Sequence, residues 1–115
     1  MSAEQIAGKG RTVAIMDLGS NSLRMMIVRI GENRVTSVLN QVKQMVRLGE
    51  GAFEERRLQV EPMRRTIAAL RGFAGMCRSY GVDEVVALAT AAVRDAANGQ
   101  EFMDEIRRET GIDFT

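Results

Sequence analysis

Two apolar runs, Thr12-Val13-Ala14-Ile15-Met16 and Leu23-Arg24-Met25-Met26-Ile27-Val28-Arg29-Ile30, flank the hexapeptide Asp17-Leu18-Gly19-Ser20-Asn21-Ser22. So short a spacer leaves two strands little choice but to fold back as an antiparallel hairpin. The first run is continuous, as expected of a strand buried on both faces. Gly-Ser-Asn-Ser is turn chemistry: Gly19 permits φ > 0, while Asn21 and the two serines can bond nearby backbone. The tip thus gathers a carboxylate, hydroxyls, an amide and backbone N–H groups. Such a tip can ring a phosphate with donors while Asp17 faces a metal ion or a water. Taken alone, a Gly-Ser-Asn cluster is more often simply a turn.

The rest of the chain places this hairpin in a larger sheet. Strands are expected over 11–18, 23–30 and 34–44, with Gly31-Glu32-Asn33 turning between the last two. In the third strand neither alternating face is purely apolar, which suits a sheet edge. Residues 48–55 carry Gly49 and Gly51 and read as a loop. Val60, Met63, Ile67, Leu70, Ala74 and Cys77 then recur at three- and four-residue steps, predicting a helix. Pro62 belongs in its first turn and Gly81 at its end. A short buried strand follows over 82–88, then a small-residue segment over 89–97. Asn98 is placed to cap a helix over 99–110 whose Phe102, Met103 and Ile106 face inward, and Gly111 terminates it. Ile112-Asp113-Phe114-Thr115 alternates like the start of another strand. A meander followed by a helical crossover gives a mixed sheet with helices on its faces. In it, the hairpin tip and the 88–92 junction lie at one end, where crevices form in open α/β sheets.

Composition narrows the chemistry. The chain has 115 residues and suits one domain. Sixteen basic residues against 15 acidic ones give no positive field of the kind nucleic-acid polymers require. There is no histidine, which removes imidazole bases, Ser-His-Asp triads and the usual zinc sites. The single cysteine, Cys77, precludes an internal disulfide, fits a reducing cytoplasm, and falls on the apolar helix face as a core residue. No apolar stretch reaches the roughly 18 residues of a membrane span. Residues 1–10 read as a mobile lead without a signal-peptide core.

Three segments, in order, resemble one family. Asp17 to Ser22 followed by Leu23-Arg24 resembles the first phosphate loop of the exopolyphosphatase and guanosine pentaphosphate phosphohydrolase family. Lys43-Gln44-Met45-Val46-Arg47-Leu48-Gly49-Glu50-Gly51 resembles that family's stretch after the third strand. Ala89-Thr90-Ala91-Ala92-Val93-Arg94-Asp95-Ala96-Ala97-Asn98 resembles its T-x-A-x-R-x-A-x-N segment. The family belongs to the actin, Hsp70 and sugar-kinase superfamily. The resemblance implies an α/β fold, a ribonuclease-H-like half-domain, with residues 11–115 forming part of an N-terminal domain.

The resemblance also implies roles. Gly19, Ser20, Asn21 and Ser22 would cradle phosphate, with Arg24, Thr90 and Arg94 as further contacts, and Asp17 would position Mg²⁺ or another divalent cation through water. The ligands implied are polyphosphate or guanosine pentaphosphate and tetraphosphate. Arg94 has a duller reading as an ion-pair partner of Asp95 or Glu101; Lys43 and Arg47 have one as solvated surface residues. The family's general-base glutamate is expected beyond Thr115, so no catalytic residue is assigned here and this chain alone is expected to be inactive. Glu101, Glu105 and Glu109 read as a solvated helix face. An open sheet edge suggests self-association into a homo-oligomer. The alternatives are a phosphate- or nucleotide-binding module without catalysis and, less favoured by the Ser-Asn-Ser loop, an ATP-using relative.

Overall fold

The computed structural model describes residues 10–34, 36–52 and 56–115. Most of the N-terminal lead lies outside them. Strands β1 (Arg11–Leu18) and β2 (Leu23–Ile30) form the expected hairpin, paired antiparallel from Arg11↔Ile30 to Leu18↔Leu23. Strand β3 (Thr36–Gln44) adds antiparallel to β2 with a bulge near Ile27/Val28. Helix α1 (Val60–Ser79) crosses over to β4 (Glu84–Ala89), which runs parallel to β1. The one-turn helix α2 (Ala91–Arg94) and helix α3 (Gly99–Thr110) follow. The sheet order is β3-β2-β1-β4. Phe114 bridges Ala87 in parallel, and Thr115 exchanges backbone hydrogen bonds with Ala87 and Ala89, so a fifth strand begins beside β4 as the alternation at 112–115 predicts.

One hydrophobic core explains this arrangement. Ala14, Met16 and Leu18 of β1 share a face with Leu23, Met25 and Ile27 of β2 and with Ala87 and Ala89 of β4. Against them pack Ile67, Leu70, Phe73 and Cys77 of α1 and Phe102, Met103 and Ile106 of α3. The 3.6-residue period thus puts one stripe of each helix on the same side of the sheet. Burial of Leu70 and Phe73 is nearly complete, and truncating either to alanine would cost about 2–5 kcal/mol. Thr66, fully buried on α1, satisfies its hydroxyl by donating to the Pro62 carbonyl at 2.9 Å.

The sequence expectations need three corrections here. β1 is not buried on both faces: Ile15 is 37% exposed, and Val86 and Leu88 of β4 are 38% and 49% exposed. The physical reason is that α1 and α3 both cover the one face, rather than taking a face each. Asn98 precedes α3 but makes no side-chain cap. Its carboxamide instead accepts from the Leu58 N–H at 2.8 Å and donates to the Leu58 carbonyl at 3.0 Å. Gly19 is not among the glycines with positive φ, so the turn does not require its left-handed freedom.

Other details follow the sequence closely. Pro62 sits in the first turn of α1, and Gly111 closes α3 in the left-handed conformation at φ 77°. Strand β3 lies at the sheet edge and is largely exposed. Among the described residues, no helix is long and apolar enough to cross a membrane.

Candidate phosphate-binding site

The end of β1 and the end of β4 meet where the hairpin turns. Leu18 pairs with Ala89, and the Thr90 N–H donates to the Leu18 carbonyl at 3.0 Å. Thr90 is thereby set beside the tip: a Cβ built on Gly19 would lie 3.8 Å from the Thr90 γ-methyl. The hairpin tip and the β4–α2 junction therefore share one end of the sheet, as the topology implies.

The tip is tightly braced from behind. The Gly19 N–H donates to the Ser22 carbonyl at 3.0 Å, closing the turn. The Ser20 carbonyl accepts from the Gly49 N–H at 2.7 Å, and the Asn21 carbonyl from the Arg47 N–H at 2.9 Å. In a trans peptide the C=O and the following N–H point in opposite directions. Two tip carbonyls turned toward the 47–49 loop therefore turn the Asn21 and Ser22 N–H groups away from it. Neither these two N–H groups nor that of Ser20 has a hydrogen-bond partner among the described residues. The Ser20 and Ser22 hydroxyls and the Asn21 carboxamide likewise have no hydrogen-bond partner among the described residues. Three adjacent amides and short polar side chains held in this way are a candidate anion nest. Gly19 is the exception, because its N–H is already used within the turn.

The charged candidates divide by face. Asp17 pairs with Arg24 across the hairpin, Arg24 pairs with Lys43, and Leu88 flanks Asp17 on β4. This row lies on the face opposite the core. Asp17 has no ion-pair partner among the described residues, and two cations follow it along the row. No group of three or more acidic or cysteine side chains capable of holding a metal occurs among the described residues. One carboxylate beside hydroxyls fits a Mg²⁺ that is carried on phosphate and keeps its waters, and does not make an all-protein cage.

Arg94 closes α2, is exposed, and forms no ion pair with Asp95 or Glu101. Among the described residues its guanidinium is uncommitted. Its backbone is fixed by the contact between α2 and Gly99 of α3, where the Arg94 and Val93 carbonyls approach closely. Of the α3 glutamates, Glu109 is not merely solvated but pairs with Arg71 of α1. Burial raises the Cys77 thiol above its ordinary 9.0, with the Arg78 charge opposing, and its sulfur lies 3.8 Å from Met25 Sδ. It is a core residue, as its place on the helix stripe indicates.

Sequence reasoning missed the wall beside the tip. A cavity of about 880 Å³ opens between Ser20 and Asn21, the 45–52 loop, Arg56, Leu58 and α2. Arg47 and Arg56 both line it, and both have left-handed backbones, at φ 49° and 53°. A non-glycine residue in that region is uncommon. Nothing in the side-chain pattern of the loop marks those angles.

A hairpin nest at the end of a 3-2-1-4 mixed sheet, with the parallel crossover packed on one face, defines a partial domain of the actin-like, ribonuclease-H-like class. Comparison with known proteins makes this specific. The profile of the Ppx/GppA phosphatase family matches residues 26–115, and the chain belongs to that family. It is 28% identical over 102 residues to exopolyphosphatase 1 of Mycobacterium tuberculosis, covering 89% of this chain and 30% of that protein. It is 35% identical over 96 residues to a putative exopolyphosphatase of Haemophilus influenzae, covering 84% and 29%. The crystal structure of the Ppx/GppA family member from Aquifex aeolicus superposes with a TM-score of 0.87 at 31% identity, over 91% of this chain and 34% of that one. An exopolyphosphatase from Cytophaga hutchinsonii gives 0.85 at 30% identity, over 90% and 33%. The chain thus spans about a third of the length of these relatives.

Proposed function

We propose that this chain is the phosphate-holding part of a phosphohydrolase that cleaves terminal phosphoanhydrides of inorganic polyphosphate or guanosine pentaphosphate. The observation that carries the reading is the braced tip: Ser20 and Asn21 carbonyls tied back, with the Ser20, Asn21 and Ser22 amides left uncommitted. Phosphoryl transfer is catalysed largely by positioning and charge stabilisation, and these amides supply both at a fixed geometry. The names of the exopolyphosphatase relatives support the substrate class.

In this reading the three amides and the Ser20 and Ser22 hydroxyls ring the phosphoryl oxygens, and Thr90 borders them. Arg24 and Arg94 contribute planar forks to neighbouring phosphate oxygens. Asp17 would hold Mg²⁺ through water; when bound, the ion neutralises phosphate charge. In this reading holding and orienting substrate is the contribution of these residues. The reduced, buried Cys77 supports a cytoplasmic setting. Self-association belongs to the same proposal, since Ile15, Val86 and Leu88 stay exposed and β3 is an edge. A monomer by light scattering at high concentration would argue against that part.

Calorimetric titration with tripolyphosphate tests the reading. Binding is expected, with a Mg²⁺ dependence that Asp17→Ala removes. No detectable binding would overturn it. Turnover by this chain, abolished in Asp17→Ala, would instead overturn its assignment as a holding part only.

A further inference from the structure

The brace behind the tip continues past the 47–49 loop to a charge on α1. The Arg65 guanidinium donates through Nε to the Val46 carbonyl at 3.1 Å and through Nη2 to Glu50 Oε2 at 2.6 Å. The Val46 carbonyl and the Arg47 N–H belong to one peptide group, and that N–H donates to the Asn21 carbonyl at 2.9 Å. The Asn21 carbonyl and the Ser22 N–H belong to another. One line of hydrogen bonds thus runs from Arg65 through two peptides and ends at the Ser22 amide. A peptide that accepts at its oxygen is polarised into a stronger donor at its N–H, and an ionised donor at the head of the line adds to this. Val46 and Leu48 are 1% and 0% exposed, so water screens the first links little.

We propose that Arg65 is a positioning residue for phosphate binding: it fixes the orientation of the Asn21–Ser22 peptide and strengthens the Ser22 N–H as a donor, acting through the 46–50 loop. The inference rests on the reading of the tip as a phosphate loop. The planar fork suits this task, because it spans acceptors at both ends of that loop and so restrains the peptide that carries the Arg47 N–H. Glu50 occupies one arm of the fork and keeps it in place. The other long-range ion pair of α1, Arg71 with Glu109, joins two side chains and goes no further.

Tripolyphosphate titration and amide NMR of the same variants test this. Arg65→Met should weaken tripolyphosphate binding about fivefold. In the free protein it should move the Arg47 and Ser22 amide protons upfield, while the Gly19 amide proton, bonded to the Ser22 carbonyl outside the line, stays in place. Arg71→Met removes an ion pair of the same kind from the same helix and should leave affinity and all three resonances unchanged. The double variant Glu50→Gln with Arg65→Met should retain most of the loss, because neutralising Glu50 does not restore a donor to the Val46 carbonyl. Recovery to wild-type affinity there would assign the loss to the freed Glu50 charge and overturn the proposal. Undiminished affinity in Arg65→Met, or an equal loss in Arg71→Met, also overturns it and leaves the phosphate loop standing. Absence of binding by the wild type overturns the phosphate-loop reading itself, and the proposal with it.

Discussion

Gly49 lies directly behind Ser20: its N–H donates to the Ser20 carbonyl at 2.7 Å, and a Cβ added to it would come within 3.2 Å of Ser20 Cβ. Gly49→Ala therefore pushes on the proposed phosphate loop rather than on the core. Ser20 is exposed and able to give way, so unfolding stability should change by less than about 1 kcal/mol. Tripolyphosphate affinity should fall about tenfold, equivalent to about 1.4 kcal/mol. Paired calorimetry and urea unfolding check this; unchanged affinity would show that the brace does not shape the nest.

Asn98 joins two segments by satisfying both backbone groups of Leu58 while being almost fully buried itself. Removing its carboxamide leaves a donor and an acceptor without partners. Asn98→Ala is expected to lose about 2–4 kcal/mol, read as a lower urea midpoint. A loss below about 0.5 kcal/mol would mean that water replaces the side chain at no cost.

Two helix glycines should respond oppositely to alanine. At Gly99 a Cβ would meet the Val93 carbonyl at 2.4 Å and the Arg94 carbonyl at 2.7 Å, which only a backbone shift relieves. Gly99→Ala should cost about 2–4 kcal/mol. At Gly72, inside α1, nothing lies within 4 Å of the added atom. Gly72→Ala should stabilise by about 0.5–1 kcal/mol. Thermal melts of the pair give the sign of each.

Cys77 should react slowly with a thiol reagent in the native protein and rapidly after denaturation, since burial keeps it protonated. The raised folded value has a defined stability consequence. The unfolded thiol ionises first, so its contribution is intact below 9.0 and is lost as pH rises from there through the folded value. Cys77→Ala should remove that alkaline component, seen by comparing urea midpoints of the two proteins between neutral pH and pH values above 9.0.

Much of the fold is legible in the residues because local signals agree with the tertiary outcome. The stripe from Met63 to Cys77, Pro62 in the first turn and Gly111 at a left-handed cap each state their own position, whereas Val60, read as the head of that stripe, is 63% exposed. The choice of helix face is different. Nothing in the continuous run Thr12 to Met16 distinguishes a strand covered twice from one covered once, because both read as apolar. Asn98 likewise looks like a cap in its local setting, and only the arrival of Leu58 redirects its carboxamide. At the site, Asp17 to Ser22 declares the turn, but the orientation of its amides depends on the Gly49 and Arg47 N–H groups. Those contacts join segments more than twenty residues apart and leave no periodic trace.

The clasp between Leu58 and Asn98 spans 40 residues, and with it the Ala97 N–H reaches the Arg56 carbonyl at 2.7 Å. The β1–β2 hairpin, by contrast, pairs neighbours in sequence. Contacts that close long loops are made late, because their entropy cost precedes their reward. The turn can thus take shape while the chain is still being synthesised, but the wall holding Arg56 waits for residue 98 to emerge. Order at the braced tip and order in the cavity wall should accordingly arise at different moments of folding, the second marking its completion.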